Sequence, residues 1–431
     1  MEKKEVKVGL IGLGTIGTGV YKLFKNSGEI INNKAGFRLT LAKICDIKKE
    51  RFKKLKVSPR IATTDIKDII ENKDIDIVIE LIGGLHPAYD FIIKAMKNKK
   101  HIVTANKAML SKYWQNVIKT ADENNVWLFA EGAVGGGIPV IRALEEGLCA
   151  NRIQQITGIL NGTTNYILTK MSKEGKNFSD VLKEAQEKGF AEADPTLDIS
   201  GLDAMHKIIL LSNIAFSTII NEKSVYVEGI KNTNLLDIKF GEDLGYVMKL
   251  LAIAEKKEGK INVRVHPAFI PKDKLIASVS YENNAIFIKG DAVGETMFYG
   301  KGAGEMPTAS AVLSDVVEIT KNITAQIKRK PYFSYKVKPD ILKMDELKFK
   351  YYIRFNVIDK AGVLAKISGV LGKHNISIQS VIQKSRSSNN KVPVVFMTYE
   401  AKEKNFIKAI KEIDGLPIIK EKTGFYRVIE N

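Results

Sequence analysis

Apolar residues arrive in two rhythms along this chain. Residues 6–14, VKVGLIGLG, form a short apolar run that ends in glycines. Such a run predicts a buried parallel strand feeding a tight turn. A helical pattern follows over 15–25 and a strand over 38–46. Further strands are predicted over 75–82, 101–104 and 127–130, with helices over about 87–98 and near 113–123. Strands that alternate with helices in this way predict a doubly wound parallel α/β sheet over residues 1–130.

From residue 131 the strict alternation stops. A glycine-rich loop, EGAVGGGIP, leads into a helix, and 153–160 reads as a strand. Helices are expected over 163–172, 179–188 and 201–216, and strands within INVRVHPAFI and AIFIKGDAV. This mixture predicts an α+β domain over 131–304. The run PTASAVLSDVVEITKNI starts with Pro307 in a first helical turn, and the segment of about 305–327 is read as returning to the first domain. Residues 328–349 are basic, contain two prolines and read as a linker. Residues 350–431 then repeat βαββαβ, a ferredoxin-like arrangement whose pattern is independent of everything before it.

Composition narrows the function classes. The chain has 431 residues, 67 Lys+Arg against 49 Asp+Glu, and a formal net charge of +18. The lysines alternate with acids in stretches such as KKERFKKLK, and no helix-turn-helix, zinc-finger or RNP-type motif accompanies them. The charge therefore fits a solvated lysine-rich surface, or attraction of an anionic ligand, better than nucleic-acid binding. There is no apolar run of membrane-spanning length and no signal-peptide pattern at the start, so a cytoplasmic protein without a membrane partner is expected. Two cysteines, Cys45 and Cys149, build neither a disulfide framework nor a cysteine zinc site. The five histidines show no ligand spacing.

Three constellations carry chemistry. Gly12-Leu13-Gly14-Thr15-Ile16-Gly17 is G-x-G-x-x-G after a strand and before a helix. Its glycines permit the turn, the close approach of a pyrophosphate and tight helix–strand packing, so NAD or NADP is the expected cofactor. Asp46 ends the second strand, where an acid would bond the ribose hydroxyls of NAD; Lys48, Lys49 and Arg51 could instead hold a 2′-phosphate, and Asp46 could be only a helix cap. The second constellation is Glu192, Asp194, Asp198, Asp203 and Lys207, beside Gly189, Pro195 and Gly201. Asp203 and Lys207 share one helix face at four-residue spacing, which suits either an exposed ion pair or a lysine held among acids for proton transfer. The third is Thr104-Ala105-Asn106-Lys107, just past a parallel strand, where ligands bind in open α/β sheets. Lys107 is there either a ligand contact or a surface lysine.

These segments and their order resemble the homoserine dehydrogenase family in the form that carries a C-terminal ACT domain. The resemblance rests on GLGTIG at 12–17, ELIGG at 80–84, TANKAML at 104–110, EGAVGGGIP at 131–139, GILNGTTNYIL at 158–168, AxxxGFAEADPxxDxxGxDxxxK at 185–207 and GKGAGEMPTASAV at 300–312. The resemblance is taken to cover residues 6–325. The resemblance implies a Rossmann-type first domain, a substrate-binding and dimerisation domain, and a C-terminal ACT regulatory domain. It implies NAD(P)-dependent interconversion of L-aspartate 4-semialdehyde and L-homoserine, a step toward threonine, methionine and isoleucine. By the same resemblance Lys207 is the proton donor, Lys107 a second lysine near the reacting oxygen, and Glu192 the acceptor of the substrate ammonium. Asp203 bonds substrate or orients the lysine, and Gly189 and Asp198 belong to the substrate pocket. Thr104, Lys107, Gly302 and Gly304 join the glycine loop in binding cofactor. Glu131, Val134, Gly136 and Ile138 match a monovalent-cation (sodium) site made mostly of carbonyls. One departure is Cys45, where many relatives have an arginine for the 2′-phosphate; NAD and NADP both stay open.

The C-terminal module resembles an ACT domain through Asp359-Lys360-Ala361-Gly362-Val363-Leu364 and Asn375-Ile376-Ser377-Ile378. Gly362, Asn375 and Ile376 are its expected effector contacts, threonine the expected effector, and a homo-oligomer (dimer or tetramer) the expected assembly; a module that only oligomerises is the alternative. Two other readings compete for the whole chain. An aldehyde dehydrogenase would need a nucleophilic cysteine, and Cys149 lies in LEEGLCANR with no histidine nearby in sequence. A non-catalytic amino-acid sensor would not need the complete acid–lysine pattern.

Overall fold

The computed structural model describes residues 5–329, 339–383 and 391–430. The described residues pack as two compact units, bounded as follows. The first consists of residues 1–160, 205–223 and 283–339. It holds a six-stranded sheet in the spatial order Ala62–Thr63, Leu39–Cys45, Val6–Ile11, Ile77–Glu80, His101–Thr104, Leu128–Phe129, with every pair parallel. The order reverses beside Val6–Ile11, and that switch point is where an open α/β sheet leaves a crevice.

The strands are short and buried on both faces, as Ile77 and Ile79 on one face and Val78 on the other, each at 0% exposure, show. Helix Thr15–Ala35 covers one face and helix Glu305–Thr324 lies against it; the two contribute Val20, Ala309, Val312 and Val316 to one core. Gly19 makes this approach possible, because a Cβ there would stand 2.6 Å from the Glu305 carbonyl oxygen. The first helix runs ten residues beyond the expected 15–25. It crosses a non-helical Ser27 (φ −126°), the break at which the sequence pattern loses its period. The small elements Lys49–Leu55, Ala62–Thr63 and Lys67–Ile70 carry too few apolar positions to be read from periodicity. This unit also holds an antiparallel sheet of Ile153–Ile159, Asn283–Gly290 and Gly294–Lys301.

The second unit consists of residues 161–204, 224–282 and 340–431. Its helices include Gly162–Glu174 and Phe178–Glu187. Strands Tyr246–Lys257 and Lys260–Pro271 form a long hairpin, turned by Glu258 and Gly259 at φ 52° and 79°, as a two-residue hairpin turn requires. The first of these strands was not anticipated. Its Met, Leu, Ala and Lys content suits a helix, and cross-strand pairing overrides that preference.

The C-terminal strands follow the expected βαββαβ order. They stand as Ile419–Val428, Lys348–Ile358, Lys391–Thr398, Ile378–Ile382, all antiparallel, with helices Val363–Lys373 and Glu403–Asp414 packed on Tyr351, Phe355 and Phe396. The module is independent in pattern but joined to the hairpin in space. Arg427 and Val428 pair in parallel with Ala268 and Phe269 of the hairpin, extending one sheet across both. Arg354 is buried in an ion pair with Asp237, reaching Oδ2 at 3.0 Å, and Tyr352 donates to Asp237 Oδ1 at 3.0 Å. The expected linker is also shorter. Residues 330–338 of it lie outside the described residues, but Asp340 and Leu342 already bond the hairpin through Ile261 (2.8 and 2.9 Å), and Lys348 opens a strand. The compact units also group residues 131–160, 205–223 and 283–304 with the parallel sheet, whereas the sequence pattern placed them in a separate domain.

Candidate active site

The strand–turn–helix at 11–17 is shaped for a ligand's backbone-sized approach. Gly12 has φ 98°, and a Cβ would meet the Leu81 carbonyl oxygen at 2.8 Å. At Gly17 a Cβ would lie 1.9 Å from the Gly12 oxygen. Gly14, by contrast, faces open space. The first and third glycines are therefore packing requirements, and the middle one leaves room for a pyrophosphate at the helix N-terminus. The adjoining cavity has a volume of about 750 Å³ and is lined among others by Gly12, Gly14, Asp46, Lys48, Arg51 and Ile82. Its size and this cradle fit a dinucleotide.

Asp46 is only 6% exposed and is fully engaged. Its carboxylate accepts the Leu13 amide at 2.6 Å, the Lys48 amide at 2.8 Å and Arg51 Nη1 at 2.8 Å. Burial pushes its pKa up, but the two amides and the arginine outweigh that and hold it below the usual carboxylate range. The conflicting sequence signals thus meet in one cluster: Asp46 braces the glycine loop, caps the following turn and pairs with the arginine. Cys45, at the strand end, is buried, and burial followed by Asp46 pushes its thiol up to about 11.

A buried network joins two of the motifs. Glu80 closes strand Ile77–Glu80 at 0% exposure and accepts the Thr104 hydroxyl at 2.7 Å and the Ile82 amide at 2.8 Å. Burial raises its pKa despite these bonds. Thr104 accepts the Asn106 amide, and Asn106 donates to the Gly84 carbonyl at 2.8 Å while capping helix Lys107–Asn124 through Met109. Lys107 is therefore the first residue of a helix, half-buried at the carboxyl end of a parallel strand.

The loop at 131–139 is held from within. Both Glu131 carboxylate oxygens accept main-chain amides, from Ile141 at 2.9 Å and Arg142 at 2.8 Å, so the side chain caps the next helical turn. A cation at Glu131, Val134, Gly136 and Ile138 would accordingly be held by carbonyl oxygens, the donors a hard cation prefers. Among the described residues no cluster of three or more His, Cys, Asp or Glu could hold a metal ion. Gly136 packs directly on Gly302, where a Cβ would come within 2.7 Å of the Gly302 carbonyl carbon. Gly302 in turn sits on Asn284, and Gly304 adopts φ 128°.

In the pattern at 185–207 the residues separate by environment. Lys207 is 7% exposed and donates to the Leu160 carbonyl at 2.7 Å. Asp203, one turn earlier on helix Leu202–Phe216, is equally buried. Asn161 donates to Asp203 at 2.8 Å and to Asp198 at 2.7 Å, and its carbonyl oxygen caps the Thr164 amide. The two acids are thus brought together by a residue that sequence reading did not single out, although an Asn before GTT is an N-cap signal. An exposed i,i+4 ion pair is excluded for Asp203 and Lys207 by their burial. Glu192 and Gly189 are exposed, Gly189 at φ 74°. Asp194 instead caps the short turn at Thr196.

In the C-terminal module Gly362 is exposed, with φ 85° and open space at its Cβ position. Asn375 is also exposed and left-handed (φ 58°). Ile376 leaves only its main chain to meet an effector. Its side chain is 3% exposed within the module core, and its amide donates to Leu371 at 3.0 Å. Cys45 is buried with its thiol pushed up, the setting of an inert cysteine, and Cys149 is exposed. Among the described residues, no helix is long and apolar enough to cross a membrane.

Comparison with known proteins gives concordant results along the chain. Residues 12–131 match the family model of the homoserine dehydrogenase NAD-binding domain, 139–317 that of homoserine dehydrogenase, and 351–417 that of the ACT domain. A homoserine dehydrogenase of Neisseria gonorrhoeae is 41% identical over 430 residues, 99% of either chain, and one of Bacillus subtilis is 37% identical over 429. The crystal structure of a homoserine dehydrogenase from Thiobacillus denitrificans superposes with a TM-score of 0.94 at 41% identity, covering 100% of this chain and 99% of that one. A hyperthermophilic archaeal homoserine dehydrogenase in complex with NADPH superposes at 0.64 with 25% identity over 73% of this chain and 98% of that one.

Proposed function

We propose the reaction from one premise: the chain belongs to the homoserine dehydrogenase family and is an oxidoreductase. It interconverts L-homoserine and L-aspartate 4-semialdehyde with NAD or NADP, within the synthesis of threonine, methionine and isoleucine. The observation that carries the reading is the buried Lys207 ammonium on the same helix as buried Asp203. A cation held away from water stabilises the negative charge that develops when a carbonyl is reduced, and its Nζ then supplies the proton.

The remaining assignments follow the family motifs. The glycine loop 12–17, with Thr104, Lys107, Gly302 and Gly304, holds the dinucleotide, which when bound accepts or delivers a hydride. Glu192 receives the substrate ammonium, with Gly189, Asp198 and Asp203 completing the substrate pocket. Lys107 supports the reacting oxygen. Carbonyls at Glu131, Val134, Gly136 and Ile138 take a sodium ion. The ACT module binds an amino acid, threonine, at Gly362, Asn375 and the main chain of Ile376, and the enzyme works as a homo-oligomer.

The test is homoserine oxidation followed by nicotinamide absorbance with each cofactor, with and without threonine. Turnover with either cofactor supports the reading, and a response to threonine supports the regulatory part. No turnover with homoserine under either cofactor rejects the reaction. A non-catalytic sensor would bind dinucleotide in the same assay and turn nothing over.

A further inference from the structure

The last strand of the ACT module carries a buried cation that the proposed reaction does not use. Arg427 is 1% exposed. Its Nε donates to Glu403 at 3.0 Å, an ion pair internal to the module. The guanidinium also reaches out of the module: Nη1 donates to Glu228 at 2.9 Å, and Nη2, shared with Glu403, donates to the Tyr226 hydroxyl at 3.0 Å. Tyr226 donates to Glu228 at 2.9 Å, closing a triangle.

The segment 226–230 is fixed on its other side as well. Tyr226 and Val227 pair with Arg264 and Val265, and the Ile230 amide donates to the Ile199 carbonyl at 2.9 Å. Gly229 runs so close to the turn at 196–201 that a Cβ would lie 2.1 Å from the Ile199 oxygen and 2.6 Å from Ser200 Cα. Packed cores do not absorb displacement freely, so a shift of 226–230 is passed to that turn. Asp198 stands on the turn and shares Asn161 with Asp203.

We propose that Arg427 is a positioning residue for the substrate acids. It fixes 226–230 through Glu228 and Tyr226, and that segment fixes the turn bearing Asp198 through Gly229 and Ile230. The proposal rests on the reading of Asp198 and Asp203 as substrate-binding groups. It makes the ACT module part of the support of the substrate site, and gives an effector bound there a contiguous route to it.

The experiment uses the full-length enzyme with Glu228→Gln and Tyr226→Phe, which weaken the link without emptying a buried site, and Asp203→Asn as the reference. The readouts are the KM for homoserine, the Kd for NADPH or NADH by fluorescence, and the thermal midpoint. Both link variants are expected to raise the homoserine KM about three- to tenfold while the dinucleotide Kd stays within about twofold. A lowered midpoint with an unchanged homoserine KM would mean a purely structural contact and overturns the proposal. If Asp203→Asn raises the KM and the link variants do not, the positioning role alone falls. If Asp203→Asn also leaves it unchanged, the substrate reading fails and takes this proposal with it.

Discussion

Lys207 and Lys249 are both buried lysines, and their surroundings give them different work. Lys207 lies on the helix of Asp203 with its ammonium on the Leu160 carbonyl. Lys207→Ala is expected to lower kcat by ~10²–10⁴-fold with little change in dinucleotide Kd, as loss of a general acid does. Steady-state kinetics on the folded variant decides, and a loss below about tenfold removes Lys207 as donor. Glu192→Gln is expected to raise the homoserine KM by roughly three- to tenfold and spare the dinucleotide KM, the modest size reflecting an exposed charge. Equal effects on both constants would contradict its role. Lys249 is 2% exposed and donates to Asn165 at 3.0 Å and to the Val279 carbonyl, with no acid among its hydrogen-bond partners. Burial, with Lys173 nearby, lowers its pKa to about 8. Between that value and the ordinary 10.5 the unfolded chain binds more protons, so Lys249 makes stability rise with pH across this window. Compared with Lys249→Met, the wild type should gain about 3 kcal/mol in urea unfolding between pH 7 and 11. A constant difference between the two proteins would refute the depressed lysine.

Among the elements, the C-terminal module departs most from what its pattern suggested. A ferredoxin-like repeat after a proline-bearing basic stretch reads as a detachable domain, yet its edge strand continues the hairpin sheet and Arg354 neutralises buried Asp237. Truncation near Leu342 would strand that carboxylate and expose the edge of Lys260–Pro271. Leaving one partner of a buried pair alone costs roughly 3–5 kcal/mol, so a clearly lowered thermal midpoint is expected for the truncated chain. Preservation of the full midpoint would show the weld to be energetically empty. Gly362→Asp is the better probe of regulation. A Cβ added there would meet no atom within 4 Å, and the added carboxylate should abolish the response to threonine while lowering stability by only about 1 kcal/mol for the left-handed backbone. Inhibition curves over rising threonine decide: a wild type that ignores threonine ends the regulatory reading, and a variant that stays inhibited moves the effector site away from Gly362.

At the scale of the molecule, the net charge is +18 and a dinucleotide is an anion. Positive potential raises the encounter rate with dinucleotide and is screened over about 8–10 Å at ordinary salt. The KM for dinucleotide should therefore rise with ionic strength more steeply than that for zwitterionic homoserine. Replacing sodium chloride by choline chloride at constant ionic strength separates screening from a bound cation. Activity lost only in choline supports the carbonyl site at 131–138, and identical curves in both salts reject it.

Apart from the three small elements between residues 49 and 70, the order of strands and helices in the first 130 residues was legible because each element carries its own period, and GLGTIG was legible because a tight turn at a helix start admits few residues but glycine. The acid–lysine pattern and the βαββαβ repeat could be read for the same reason, that local spacing encodes them. What sequence could not supply were pairings between distant segments. Glu80 reads as the end of an apolar run, and only the sheet places it under Thr104. Asn161 reads as a helix cap, and only packing brings Asp198 and Asp203 to the same amide. Asp46 carried two opposed meanings until Leu13, Lys48 and Arg51 were seen to share its carboxylate. Arg427 and Asp237 look like surface charges, because burial belongs to what covers a residue and not to the residue. Period and turn chemistry are local properties of a chain, whereas burial, charge pairing and the support of a site are set by contacts across hundreds of residues, which exist only once the chain has closed on itself.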